Sequence, residues 1–457
     1  MKNRIIYLSF LVSLAVFSSC KKQLELLPSD VILPDQALRT VTDLEKGLFG
    51  VYASNGAAGN RVYIGTILAD ESLIANTNRG QGQFTFKWQY SGSPEAEHNA
   101  DYANCYGMID NANKILGVID AIPTANATEV ALKKRIKAEL TALRGIELFE
   151  CLIRFMPNGY SASALGVPIV LKSELYGKPA RNTVGEVITQ VNTDLAAGRA
   201  ETGIPNAPVD VVRLSQATIA AYQARVSLLT RDWAGVVTHA KEAITLSGKD
   251  LATGTDFEDY WTDDNEIETL WKYRNQATPQ LLWTDANGDI FFSPANKLMN
   301  EYDAANDVRF STYFNSDEII KYPGSASGPQ INDIKLVRVA ELYLDLAEAY
   351  AQLNDLTNSA LYLNGLRAAR IDGYTDVTLT DQQDGVDQAL DERYKELCYE
   401  GFRFFDLKRN ALPINRDASD VQSPTWQNLS ANDHRFALPI PQHEIFANKN
   451  MKQNPGY

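Results

Sequence analysis

Apolar positions in this chain recur with the 3.6-residue helical period, and many of the recurring residues are small. Ala138, Ala142, Gly145 and Phe149 form one stripe, Ala217, Ala221, Ala224 and Leu228 a second, and Ala340, Leu344, Ala347 and Ala351 a third. Alternating steps of four and three keep each stripe on one helix face, where small side chains let a second helix approach closely. The partner helices are legible in two cases. Thr230-Arg231-Asp232 predicts a turn into a helix from Trp233 to Ile244, with Ala234, Val237, Ala240 and Ile244 inward. Leu353-Asn354-Asp355 predicts a turn into Leu356 to Ala369, with Ala360, Leu363 and Leu366 inward.

Pairs of this kind resemble tetratricopeptide repeats, although they do not recur at the regular spacing of about 34 residues. The expected fold is therefore all-α, mainly helical hairpins of tetratricopeptide type, at 100–155, 183–245, 335–370 and 386–410, within one domain spanning 20–457. From 248 to 332 the texture changes to Gly, Asn, Asp and Pro with no sustained period, which predicts a long insertion rich in loops. Three of the six tryptophans, Trp261, Trp271 and Trp283, lie in it, with Tyr273 beside them. A second such stretch, Asn76 to Gln83, leads into Phe84, Phe86, Trp88 and Tyr90. Flat rings beside amides suit a carbohydrate or peptide, because the ring covers the apolar face of the ligand and the amides meet its polar groups. The predicted ligand contacts are Trp88, Trp261, Trp271, Tyr273 and Trp283, with Arg79 and Asn287 as polar partners.

The N-terminus bears on location. Lys2-Asn3-Arg4, an apolar run from Ile5 to Phe17, then Ser18-Ser19-Cys20, has the four parts of a bacterial lipoprotein signal. The run is too short to cross a bilayer, which takes about 20 residues. Residues 1–19 are thus expected to be a cleaved signal peptide, leaving Cys20 as a lipid-bearing N-terminus. A net charge of −14 argues against nucleic acid, and the one dense basic patch, Lys133-Lys134-Arg135 with Lys137, reads as a solvated helix face. Cys105, Cys151 and Cys398 sit in apolar helical stretches without metal or redox spacing; buried thiols are the expectation, with one bridging pair left open. His98, His239, His434 and His443 are scattered.

Catalytic motifs are missing. There is no GxSxG elbow, Walker loop or GxGxxG fingerprint. Asp263-Asp264-Asn265-Glu266 with Glu268 could supply glycosidase carboxylates, but acidic loop residues are commonly solvated. Asp285, Asn287 and Asp289 begin a calcium loop that fails at Ile290 and Asn296. No cofactor, metal or enzymatic activity is expected.

Near the C-terminus the residues become recognisable. Glu392-Arg393-Tyr394-Lys395-Glu396-Leu397, then Tyr399-Glu400-Gly401-Phe402-Arg403-Phe404-Phe405-Asp406-Leu407-Lys408-Arg409, resembles the signature helix of the SusD/RagB family. So does the ending Leu438-Pro439-Ile440-Pro441, Glu444-Ile445 and Asn454-Pro455-Gly456-Tyr457. Leu24-Glu25-Leu26, Asn111-Ala112-Asn113, Gly166-Val167-Pro168-Ile169 and Ala340-Glu341 with Ala347-Glu348-Ala349 extend the likeness over nearly the whole chain. Read as one helix, Leu390 to Lys408 would place Leu390, Tyr394, Leu397, Gly401 and Phe405 on one face, with Gly401 admitting a neighbouring backbone and Asp406 pairing with Arg403 or Arg409. The resemblance implies an outer-membrane lipoprotein on the cell exterior. It would capture an oligosaccharide or glycan fragment and pass it to a SusC-like TonB-dependent transporter. A peptide-binding receptor of RagB type is the alternative, and a lipid-anchored polysaccharide hydrolase a further one.

Overall fold

A computed structural model describes residues 37–54, 57–93, 99–277, 283–285, 287–329 and 331–457. Cys20 and the signal segment lie outside the described residues. The longer helices are α1 (Val41–Ala53), α2 (Ala57–Ile67), α3 (Asn99–Val118), α4 (Ala127–Phe155), α5 (Val184–Arg199), α6 (Gln216–Thr230), α7 (Trp233–Ser247), α8 (Val339–Gln352), α9 (Leu356–Arg370), α10 (Gln382–Glu396) and α11 (Arg403–Arg409). From α3 to α8 each packs on the next, and α8 also receives α9 and α10. The fold is the mainly helical one expected from the stripes.

The small-residue stripes form the helix contacts, and all three are buried. The crossing of α4 on α5 is close. A Cβ on Gly145 would stand 2.8 Å from the Cβ of Asp194, and one on Gly198 would stand 2.8 Å from the Cβ of Ala142. The two predicted turns share one geometry. Arg231 (φ 60°) and Asn354 (φ 59°) are left-handed, and each is followed by an aspartate that caps the next helix. Asp232 N–H donates to the Ser227 carbonyl at 2.9 Å, and Asp355 N–H to the Tyr350 carbonyl at 2.8 Å. The caps match as well, Gly235 N–H to Asp232 at 3.0 Å and Asn358 N–H to Asp355 at 3.1 Å. On α7 the inward set differs slightly from the expectation, since Val236 is buried and Ala234 is exposed.

Strands are few and short. β1 (Ser72–Ile74) pairs antiparallel with β3 (Phe292–Pro294), and β2 (Thr269–Ala277) with β4 (Ile331–Arg338). The first pairing ties the Asn76 loop to the far end of the insertion. The second leads directly into α8, so the insertion is anchored at the point where the helical stack resumes.

The predicted helix from Leu390 to Lys408 is broken. α10 ends at Glu396, Tyr399 (φ 60°) and Gly401 (φ 82°) are left-handed, and α11 starts at Arg403. The expected close approach at Gly401 is present, but in this break and not in mid-helix. A Cβ there would lie 2.6 Å from the Arg61 carbonyl oxygen.

Candidate functional site

The signature segment folds into a buried ionic lattice. Glu396 accepts from Arg309 at 3.1 Å, Arg338 at 2.7 Å and Arg370 at 3.0 Å. Glu400 takes Arg338 at 2.7 Å and Lys321 at 2.8 Å, and Glu268 takes Arg338 at 3.0 Å and Arg370 at 2.5 Å. A second group joins Arg393 to Asp345 and Asp406, and Arg409 to Asp406 and Glu348. Arg403 pairs with Asp70 at 2.8 Å and not with Asp406, because the helix break turns it toward β1. Burial alone would raise the Glu396 carboxyl, but Arg370, Arg338 and Arg309 override it and hold the group well below the usual range. The same opposition brings Glu392 down to about 2. Such pairs add little net stability over a hydrophobic core, yet losing one partner strands a buried charge at a cost of about 3–5 kcal/mol.

Three of the carboxylates that could have served a hydrolase are held in ion pairs, one of them in this lattice. Glu268 is fully buried in it, Asp263 binds Lys335 and the Asn332 amide, and Glu266 binds Lys272. Among the described residues no group of His, Cys, Asp or Glu could hold a metal ion. Asp285 spends one oxygen on the N–H groups of Asn287 and Asp289, at 2.8 and 2.9 Å.

Four of the predicted ligand aromatics are core residues, and this corrects the expectation. Trp88 is 2 % exposed, Trp271 2 %, and Trp261 and Trp283 0 %. Trp88 donates its indole N–H to the Leu68 carbonyl at 2.9 Å, and the Arg416 guanidinium covers its ring at 4.2 Å. Trp261 is enclosed by Phe257, Tyr260, Tyr313 and Tyr322, with Lys321 4.6 Å from its ring. Trp271 packs edge-on to Tyr222, and Trp283 lies between Tyr63 and Tyr399. The physical reason is area: a large ring removes about 150–250 Å² from water, and long loops have few other apolar groups with which to pin themselves. Tyr273 is half-buried, with its hydroxyl bound to the Ala53 carbonyl at 2.7 Å.

Arg79 and Asn287, by contrast, are exposed, and the structure brings their two loops together. Thr77 donates to the Ile290 carbonyl at 2.6 Å and Asn78 to the Phe291 carbonyl at 2.9 Å, while Arg79 pairs with Asp289. Asn78 organises the loop, accepting from Gly80 N–H at 2.7 Å and from Gln83 at 3.0 Å. Gln83 in turn receives Lys87 at 2.8 Å, and the Lys87 ammonium stands 4.3 Å from the centre of the Trp426 ring. Phe84, next along the chain, is 70 % exposed. The result is a surface of one exposed ring, one half-buried indole, several amides and an Arg–Asp pair. Phe84 and Trp426 were not among the contacts predicted from the sequence. Trp426, the tryptophan of Thr425-Trp426-Gln427-Asn428, carried the same aromatic-and-amide texture and could have been found by it.

Other concavities exist. A groove of about 950 Å³ runs between α3 and the 168–179 loop, with Leu175 and Tyr176 almost fully exposed on it.

Comparison with known proteins places this architecture. A family model described as the SusD family matches residues 300–457, and one described as "Starch-binding associating with outer membrane" matches residues 27–228. SusD-like protein P38 of Formosa agariphila is 23 % identical over 531 aligned residues, covering 100 % of this chain and 99 % of the relative. Starch-binding protein SusD of Bacteroides thetaiotaomicron is 34 % identical over 127 residues, which is 27 % of this chain and 22 % of that protein. A putative sugar binding protein of Bacteroides vulgatus superposes with a TM-score of 0.80 at 26 % identity, covering 92 % of this chain and 99 % of the other. One model takes in the first helices of the stack and the other most of the ionic lattice; the chain belongs to the SusD-like family.

Proposed function

We propose that this protein is a glycan receptor, tethered to the outer membrane through Cys20, that captures an oligosaccharide at the Arg79–Phe84–Trp426 surface and delivers it to a SusC-like TonB-dependent transporter. The observation that carries this reading is the meeting of the Asn78 and Asn287 loops, to which Gln83 and Lys87 link the short helix of Phe84 and the Trp426 ring. Rings supply the apolar platform for a sugar face, and Gln81, Gln83 and Asn287 supply amides at its edge. Support also comes from relatives whose names carry starch or sugar binding. On this reading the chain binds without making or breaking a bond: Asp263, Glu266 and Glu268, three of the carboxylates a hydrolase could draw on, are tied into ion pairs. The test is affinity electrophoresis of residues 21–457 in gels containing starch, laminarin or galactomannan, with calorimetry on the fragments of whichever retards it. Retardation that Phe84→Ala and Trp426→Ala weaken supports the reading; free migration in every gel overturns it.

A peptide is the second ligand reading. It is favoured by the groove between α3 and the 168–179 loop, whose Leu171, Leu175 and Tyr176 suit side chains better than sugar hydroxyls. Calorimetry with mixed peptides separates the two.

A further inference from the structure

A concavity of about 240 Å³ opens between α1, the 210–213 segment and β2, built from elements that do not contribute to the Arg79–Phe84–Trp426 surface. Four aromatic residues line it, and Phe49 and Tyr273 present the accessible rings. Phe49 is 46 % exposed, and Tyr273 is half-buried. Both are held in place. The Arg213 guanidinium stands 5.2 Å from the Phe49 ring centre and is itself gripped by Glu139, at 2.8 and 3.3 Å. The Tyr273 hydroxyl is fixed on the Ala53 carbonyl, and Tyr52 closes the back wall by donating to Glu139 at 2.7 Å.

Two charged side chains complete the lining and are not used up. Arg274 is exposed and has no hydrogen bond or ion pair with a described residue. Asp210 gives one carboxylate oxygen to Val212 N–H at 3.2 Å and leaves the other open. A guanidinium donor and a carboxylate acceptor at the edge of two rings match a sugar, whose neighbouring hydroxyls both give and accept hydrogen bonds while its C–H face meets an aromatic ring. The charges also set the class. Arg213 is neutralised by Glu139, Lys272 faces the two carboxylates of Asp333 and Glu266, and Asp210 offsets Arg274, so the lining holds no surplus positive charge. Nothing in that lining selects an anion. The volume lies below the range of about 300–1,000 Å³ for whole-ligand pockets, so one sugar unit fits and not a chain.

We infer that this concavity is a second carbohydrate site, taking a single unit of a neutral glycan through Phe49, Tyr273, Arg274 and Asp210. This rests on the glycan reading proposed above. Two sites of modest strength on one receptor would hold a long polymer by avidity, without new contacts at either.

The experiment uses residues 21–457 in starch, laminarin and galactomannan gels, with three variants: Phe84→Ala/Trp426→Ala, Phe49→Ala/Arg274→Ala, and all four together. All four positions lie at the surface or half-buried, and circular dichroism melting checks that each variant is folded. The expected result is partial, several-fold weaker retardation for each pair and free migration for the four together. Wild-type retardation of the Phe49/Arg274 variant, with complete loss in the Phe84/Trp426 variant, overturns the second site and leaves the receptor reading standing. Free migration of the unaltered chain in every gel overturns both. A crystal soaked in a neutral oligosaccharide that retards the chain should show a sugar unit against Phe49 and Tyr273, and an empty concavity in a crystal whose other site is filled would sink the inference.

Discussion

Gly401 meets the second turn of α2 backbone to backbone: a Cβ on it would stand 2.6 Å from the Arg61 carbonyl oxygen, and the facing residue Gly65 is equally short of room for one. Gly401 also sits at φ 82°, where a side chain is strained. Gly401→Ala should therefore cost about 2–4 kcal/mol, from strain and overpacking together. Gly80 is the control. Its φ is 105°, but no atom lies within 4 Å of its would-be Cβ, so Gly80→Ala should cost only the strain, about 1 kcal/mol. Urea unfolding of the two variants measures the difference, and equal losses would mean that the backbone contact is not tight.

Glu396 is the hub of the ionic lattice, and its neutral isostere should be worse than its size suggests. Glu396→Gln leaves Arg309, Arg338 and Arg370 short of one carboxylate in a buried site. The expected loss is about 3–5 kcal/mol. Glu186→Gln, at an exposed capping box that a glutamine can also close, should lose far less by the same assay.

Stability should fall on both sides of mildly acidic pH, for opposite reasons. Glu392 has its carboxyl lowered to about 2 in the fold, where Arg309, Lys395 and Arg367 outweigh burial, so the unfolded chain binds the proton more readily. Its contribution is present above the unfolded value of about 4.5 and is lost as pH falls toward 2. Glu147 is the reverse case: burial, then the neighbouring Glu150, raise it to about 8. The folded state holds that proton, and its contribution is lost as pH rises from about 4.5 through 8. Glu147→Gln should flatten the decline between pH 5 and 8 in thermal melts while leaving the acid limb in place. An unchanged slope there would place the titration elsewhere.

Cys105, Cys151 and Cys398 are buried, and burial pushes the Cys398 thiol up to about 12. In residues 21–457 a thiol reagent at pH 8 should label none of the three in the native state and all three in urea. Labelling of Cys105 or Cys151 without denaturant would show that α3 or α4 opens on the timescale of the reaction.

The helical stack could be read from the sequence because small residues at helical spacing have few other uses, and the turns because Arg231-Asp232 and Asn354-Asp355 carry their own caps. The proposed ligand face was less legible than the stack. Arg79 and Asn287 are surface residues as expected, but the tryptophans are not, since a ring that pins a loop and a ring that binds a ligand have the same sequence neighbourhood. Burial decides between them, and burial is a long-range property: Trp88 is covered by Arg416. The break in the signature segment escaped notice because Tyr399 adopts a left-handed backbone that its side chain does not advertise. Gly401 was the available clue. With the break missed, the partner of Arg403 was sought three residues away, although it is Asp70, far back in the chain.

The pairing of β2 with β4 just before α8 has a bearing on how proteins of this fold could be re-engineered. The insertion enters and leaves the stack between two helical hairpins whose turns are geometrically alike, which makes it look like a cassette that could be exchanged between relatives. It is stitched, however, into the frame it seems to interrupt: Glu268, Arg309 and Lys321 come from the 248–332 stretch, and each closes an ion pair with Arg338 or with the 392–400 segment. A graft that carried only loop tips such as 285–291 would transfer surface chemistry and leave those pairs whole. One that replaced the whole stretch would have to bring the same three charges to the same places, or the recipient would be left with orphaned ions in its core.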